Sequence, residues 1–211
     1  MIYDLRLQSC KAEIFDSQFS IVNHRLIGDE VVHLVCSKNT RKIVGPDMII
    51  LYYTAGINPM SSALFLTRPD VEASAHLVIG RAGEVIQLVP FNIEAWHAGR
   101  SWYAGRAELN HYSIGIELDN LGQLRLEGNR FMAECGREVK PEEVYADCSG
   151  DKLTYWHRYT KKQVQVLTEI CGVLEMTYPI KQVVGHSDVT NRKVDPGPAL
   201  TFAFSEYQDK N

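Results

Sequence analysis

The run Met48–Tyr53 (MIILYY) is the longest apolar stretch of the sequence, and it strongly limits how the chain can fold. A short run of β-prone apolar residues that ends at Thr54–Gly56 is typical of a buried strand. The run is far shorter than the ~20 apolar residues that a membrane-spanning helix needs. We therefore expect a strand in the core of a globular domain, and no membrane insertion.

Further strand patterns lie on both sides of this run. Short β-prone segments predict strands at Ile2–Leu7, Ala75–Ile79, Val85–Val89, Ser113–Leu118 and Gln182–Val184. The two glycines within Gly80–Glu84 indicate a hairpin turn between the second and third of these strands.

Two segments carry helix signals. Pro59–Leu66 has proline in its first turn, where proline is tolerated. Thr160–Thr177 begins with the T-x-x-Q pattern of a capping box, and apolar residues recur on one of its faces at Val164, Leu167, Cys171 and Leu174. Strands interleaved with helices predict an α/β or α+β domain with one central sheet.

Three segments show no such periodicity. We interpret Pro90–Tyr112 as an ordered loop, Gly122–Ser149 as a polar and irregular surface segment, and the tail from Asp188 onward as loop.

Composition narrows the class of protein. The 211 residues suit one domain, and the 45% hydrophobic and 23% charged residues are ordinary for a soluble one. A net charge of -4 gives no electrostatic basis for binding nucleic acid. The first ten residues lack the pattern of a signal peptide. The five cysteines form no C-x-x-C pair, so we expect free thiols in a cytoplasmic protein.

The pair His186 and Asp195 is the first candidate for chemistry. His186 follows a predicted strand, and Asp195 comes nine residues later in a loop that contains Pro196 and Pro198. Imidazole and carboxylate are both good zinc ligands, so the two side chains can converge on one metal ion. Judged alone, the pair is also explained by a simpler interpretation, in which both are turn residues. His at a strand end and Asp before Pro are common in turns.

Six motifs occur in a fixed order along the chain. They are YYTAG (52–56), SAH (74–76), AWHAG (95–99), NHYSIGIELDN (110–120), GHSDV (185–189) and RKVDPGPA (192–199). In this order and spacing the chain resembles the N-acetylmuramoyl-L-alanine amidase family, which includes muropeptide-recycling enzymes, phage amidases and peptidoglycan recognition proteins. The resemblance extends from about Gly28 to Phe204, within a single domain predicted to span residues 1–211.

The resemblance implies a fold and a reaction. The fold is a mixed central sheet flanked by helices. The reaction is hydrolysis, through a zinc-activated water, of the N-acetylmuramoyl-L-alanine amide of muropeptides or cell wall. The second and third zinc ligands fall on His186 and Asp195. Glu117 resembles the general base, and Lys193 resembles the cation that faces the oxyanion. Two simpler interpretations stay open: Glu117 as a strand-end carboxylate paired with a basic neighbour, and Lys193 as a solvated loop lysine.

Three further residues resemble the family's substrate-binding parts. Trp96 and His97 match a loop that lines the substrate, although a packed aromatic residue with a polar neighbour would give the same pattern. His76, assigned with them to substrate binding, is equally explained as a core histidine or as a group that supports the site from behind.

One residue departs from the family pattern. The first zinc ligand is a histidine in the family, and Tyr52 stands in its place. Three arrangements follow: Tyr52 coordinates zinc as a phenolate, another group or water completes a weaker site, or the site holds no metal. The principal hypothesis is an amidase that acts on muropeptides or peptidoglycan stem peptides. The alternative is an inactive protein of this fold that binds muropeptides or a protein partner. No residue of the sequence indicates the protein partner.

Overall fold

A computed structural model describes residues 17–43, 45–201 and 203 of the chain. The described residues form strands β1 (Ser20–Val22), β2 (Arg25–Ile27), β3 (Val31–His33), β4 (Met48–Tyr53), β5 (Leu77–Ile79), β6 (Val85–Gln87), β7 (Trp102–Tyr103), β8 (Arg106–Ala107), β9 (Ser113–Leu118), β10 (Gln123–Glu127), β11 (Arg130–Met132), β12 (Glu138–Val139), β13 (Val144–Asp147), β14 (Thr154–His157) and β15 (Gln182–Gly185). The α-helices are α1 (Pro59–Thr67), α2 (Lys161–Thr177) and α3 (His186–Val189).

A mixed six-stranded sheet lies at the centre, with strand order β15-β4-β9-β5-β6-β3. Strands β15, β4, β9 and β5 are parallel to one another, whereas β6 pairs with β5 in the antiparallel sense. This arrangement confirms the predicted mixed central sheet with flanking helices. It also confirms the strand at Met48–Tyr53, the strand at Ser113–Leu118 and the hairpin around Gly80–Glu84.

Strand β4 is buried on both faces, which explains its unbroken apolar sequence. Ile49 and Leu51 pack in the cluster that contains α2, whereas Met48, Ile50 and Tyr52 face the opposite side with Val184 and Val189. A strand that is buried on both faces is apolar at every position. It therefore lacks the alternation of polar and apolar residues that is typical of a strand with one exposed face.

Helix α2 lies against the first of these faces. Its predicted apolar residues Val164, Leu167, Cys171 and Leu174 are all buried in that cluster. At its start the hydroxyl of Thr160 accepts a hydrogen bond from the backbone N–H of Gln163 at 3.1 Å, as the capping pattern predicts. The Gln163 side chain does not return to Thr160, however. Its amide donates instead to the carbonyl oxygens of Ile79 and Asp119, at 3.0 and 3.1 Å.

The interpretation of Gly122–Ser149 as irregular is wrong. This segment forms most of a second sheet, which is five-stranded and antiparallel with order β12-β11-β10-β14-β13. Its strands are only two to five residues long and mix buried, half-buried and exposed residues. They cover a small cluster formed by Leu121, Leu124, Ala133, Val139 and Val144. Short strands over so few buried residues give no clear alternation in the sequence.

Smaller corrections apply to the other loops. The segment Pro90–Tyr112 contains the short hairpin β7–β8, and the tail contains α3 and a helical stretch at residues 198–201. The predicted strand Ile2–Leu7 and Cys10 lie outside the described residues. Cys36, Cys135, Cys148 and Cys171 are free thiols. Within the described part of the chain, every helix falls short of the length and apolarity that crossing a bilayer requires.

Gln163 links α2 to the ends of β5 and β9, so its loss should be costly. We expect Gln163→Ala to lower the free energy of unfolding by about 1–3 kcal/mol, because a buried amide with two hydrogen bonds is removed. Gln165→Ala on the same helix removes only an exposed bond to Glu169 and should change stability by less than ~0.5 kcal/mol. Urea denaturation of both variants measures the difference, and equal changes would contradict the proposed linkage.

Candidate active site

The site lies where the parallel strands β15, β4 and β9 end together. In the register of the sheet Tyr52 is paired with Glu117, and Gly185 is paired with Leu51. His186 is the first residue after β15, so it lies at the same edge. Parallel strands carry their carboxyl ends to one edge, and this property collects three candidate residues that are far apart in the sequence.

Asp195 reaches this edge from a loop that is tied back to α3. The backbone N–H of Ser187 donates a hydrogen bond to the carbonyl oxygen of Asp195 at 2.9 Å. The Asp195 carboxylate Oδ2 then lies 2.9 Å from Nδ1 of His186, and both residues are buried. The predicted pair is therefore in contact.

The His186–Asp195 pair has the chemistry of a metal-binding pair. The 2.9 Å between Nδ1 and Oδ2 is a hydrogen-bond distance. A zinc ion between the two atoms would replace this hydrogen bond and separate them to roughly 3.4 Å. Among the residues that the structure describes, no three His, Cys, Asp or Glu side chains gather into a metal-binding group.

Tyr52 occupies the position beside this pair. Its ring centroid lies 4.6 Å from that of His186 and 5.5 Å from that of His97. The Tyr52 hydroxyl makes a hydrogen bond of 2.7 Å with Nδ1 of His97. Burial raises the pKa of Tyr52 well above its usual value, and the nearby carboxylates of Glu117 and Asp195 raise it further. Without a cation beside it, the phenol therefore stays protonated.

Glu117 is the most unusual group at this edge. Its Oε2 atom is buried and has no hydrogen-bond partner among the described residues. Burial, followed by repulsion from Asp195, raises the pKa of Glu117 to about 8, although Lys193 acts in the opposite direction. An unpaired buried carboxylate is costly, and a cation or a bound water beside it would relieve that cost. The side chains at this edge that could hold a metal ion are His186, Asp195 and the adjacent Tyr52.

Lys193 lies at the border of the site, and Trp96 directly precedes His97 in the chain. Lys193 is exposed and lines a cavity of about 260 Å³ with Gly185, Asp188 and Pro196. Its charge is near enough to lower the pKa of Glu117. Trp96 is 38% exposed, and its backbone N–H is fixed by the hydroxyl of Ser74.

His76 does not face the substrate side, which corrects its assignment to substrate binding. The residue is fully buried. Nε2 contacts the carbonyl oxygen of Ile93 at 3.0 Å, and Nδ1 accepts a hydrogen bond from the backbone N–H of Gly115. With both ring nitrogens engaged and no exposed surface, His76 acts as a core histidine behind the site.

The contact between His97 and Tyr52 was missed by the sequence analysis. The ring of His97 turns inward and lies on Gly115, where a Cβ atom would be 2.4 Å from the imidazole Cγ. Glycine inside an apolar strand indicates close approach by another group, so Gly115 was the available signal. The pairing itself had no sequence signature, because 45 residues separate the two side chains.

The chain belongs to the N-acetylmuramoyl-L-alanine amidase family, whose sequence profile matches residues 39–198. Members of this family are zinc-dependent hydrolases. The 1,6-anhydro-N-acetylmuramyl-L-alanine amidase AmpD of Escherichia coli is 35% identical over 162 residues, which cover 75% of this chain and 70% of that protein. The N-acetylmuramoyl-L-alanine amidase AmiD of the same organism is 30% identical over 165 residues, covering 74% of this chain and 50% of AmiD.

Solved structures agree with this assignment. A selenomethionine AmpD structure superposes with a TM-score of 0.60 at 27% identity, covering 84% of this chain and 94% of that one. AmpDh3 from Pseudomonas aeruginosa, in complex with anhydromuramic pentapeptide, gives a TM-score of 0.54 at 29% identity, with 78% and 63% covered. The family and the fold inferred from the six motifs are confirmed.

The raised pKa of Glu117 predicts a pH-dependent stability. Because the folded pKa lies above the unfolded value of ~4.3, stability is greatest below that value and falls as the pH rises through about 8. In metal-free protein we expect Glu117→Gln to be more stable than the native chain by about 2–4 kcal/mol near pH 9, and by less than ~1 kcal/mol near pH 5. Urea denaturation with chelator present measures both values. A stability difference that does not change with pH would contradict the buried, unpaired carboxylate.

Proposed function

We propose that this chain hydrolyses the amide between the lactyl group of N-acetylmuramic acid and L-alanine in muropeptides. The observation that carries this proposal is Glu117, a carboxylate with a buried, unpaired oxygen on the strand beside Tyr52. It lies at the edge where His186 and Asp195 meet. A base beside a metal-binding pair is an arrangement that supports metal-assisted amide hydrolysis.

The substrate class follows from the relatives. AmpD is named for the 1,6-anhydro-N-acetylmuramyl-L-alanine bond, and AmpDh3 was crystallised with an anhydromuramic pentapeptide. We therefore propose a 1,6-anhydromuropeptide as the first substrate to test. The free thiols Cys36, Cys135, Cys148 and Cys171 support action in the cytoplasm.

His186, Asp195 and Tyr52 are the residues that would hold zinc. A bound zinc ion would polarise the scissile carbonyl and make water a better nucleophile. His186 and Asp195 supply conventional nitrogen and oxygen ligands. Tyr52 supplies a phenol oxygen at the position where the family has its first histidine.

Glu117 acts as the general base in this proposal. It takes a proton from the attacking water and returns the proton to the nitrogen of the leaving L-alanine, an effect typically worth ~10²–10⁴-fold in rate. The buried environment that raises its pKa makes the carboxylate a stronger base than an exposed glutamate.

Lys193 and Trp96 complete the proposed machinery. The ammonium group of Lys193 stabilises the negative charge that develops on the carbonyl oxygen. The exposed ring of Trp96 offers an apolar face to the sugar or the peptide. Its neighbour His97 belongs to the same loop, but the structure turns it toward Tyr52 instead.

The direct test is hydrolysis of a 1,6-anhydromuropeptide by zinc-loaded protein, followed by mass spectrometry. We expect release of a stem peptide with free L-alanine at its N-terminus. Glu117→Gln should lower kcat by about 10²–10⁴-fold, whereas Gln165→Ala, on an exposed face of α2, should retain activity. An uncut muropeptide with zinc-loaded protein, or unchanged kcat in Glu117→Gln, would overturn the proposal.

A further inference from the structure

We propose that His97 is a positioning residue that makes Tyr52 usable as a metal ligand, an inference that rests on the proposed metal-dependent function. His97 was expected in the substrate-lining loop, but its ring contacts the residue that replaces the family's first ligand. The geometry assigns the two residues to one unit, with Tyr52 next to the metal and His97 behind it.

The first argument concerns the direction of the phenol proton. A tyrosine oxygen can face a cation only with a lone pair, so its O–H bond must point elsewhere. His97 Nδ1 lies 2.7 Å from the Tyr52 oxygen and can accept that proton's hydrogen bond. This hydrogen bond leaves the remaining lone pairs of the phenol free to face His186 and Asp195. A phenylalanine at position 52 would have no oxygen for His97 to orient, so any effect of His97 that acts through this oxygen would be lost there.

The second argument is that the Tyr52 hydroxyl is the side-chain hydrogen-bond partner of the His97 ring among the described residues. Nε2 of His97 is buried and has no hydrogen-bond partner among the described residues. A buried imidazole with one nitrogen unsatisfied is costly in a purely structural role.

The third argument is that His97 is held rigidly. The backbone N–H groups of His97 and Ala98 both donate to Oδ1 of Asn110, at 3.1 and 2.8 Å. One face of the ring lies on Gly115, and its edge meets the ring of His76 at a centroid distance of 5.7 Å. His76 is itself fixed, because its Nδ1 accepts from the N–H of Gly115. A group that orients a ligand must have few conformations of its own, and this ring has its position set on three sides.

A double-mutant cycle tests the inference through zinc affinity, measured by competition with a chromophoric chelator. His97→Ala should weaken zinc binding by about 10–100-fold, the usual effect of losing a partner that orients a ligand. His97→Asn, which keeps an acceptor near the Nδ1 position, should recover most of that loss. In the Tyr52→Phe background, which has no phenol oxygen to orient, His97→Ala should weaken zinc binding by less than about 3-fold.

The cycle separates positioning from the other roles of His97. If His97 were itself a ligand or a packing residue, its removal would weaken zinc binding equally in both backgrounds, and the inference would be overturned. Unchanged zinc affinity in His97→Ala, or native protein that binds no zinc, would also overturn it. Urea denaturation confirms that each variant is folded. Muropeptide cleavage is assayed separately, so native protein that binds zinc as predicted but leaves the substrate uncut contradicts the proposed function alone.

Discussion

The parallel pairing of β4 with β9 on one side and with β15 on the other sets the positions of the groups in the site. The register places Tyr52 beside Glu117, and it brings His186 to the same edge as the residue that follows β15. Asp195 is added by a loop whose carbonyl oxygen is bound by the N–H of Ser187. A change of one residue in the register of β4 would turn Tyr52 toward α2 and separate these groups.

The site concentrates polar groups that the rest of the core excludes. Glu117 and His97 each have a buried polar atom without a partner, and Tyr52 is a buried phenol between two imidazole rings. Such groups destabilise a folded chain, and they are retained where chemistry needs them. A cation beside His186 and Asp195 would reverse much of this penalty, because it favours the charged form of each carboxylate near it. Binding of the metal and stability of the fold are therefore coupled in this site.

Much of the fold and part of the site could be predicted from the sequence. Two sequence patterns were strong enough to predict their elements. The strand Met48–Tyr53 is buried on both faces and is therefore apolar throughout, whereas α2 is buried on one face and has apolar residues at helical spacing. The pair His186 and Asp195 was predicted from spacing and from the family motifs. The sheet at residues 123–157 was not, since its strands are short and cover only a small buried cluster. The contact of His97 with Tyr52 was not predictable either, because 45 residues separate the two side chains and Gly115 indicates only that some group approaches the strand closely.

The central claim is that Tyr52 completes a zinc site with His186 and Asp195. The most direct measurement is a crystal structure of zinc-loaded protein with anomalous diffraction collected at the zinc absorption edge. The account predicts one anomalous peak about 2.0–2.3 Å from Nδ1 of His186, Oδ2 of Asp195 and the phenol oxygen of Tyr52. A peak that lacks Tyr52 in its coordination sphere, or no peak at this edge of the sheet, would contradict it.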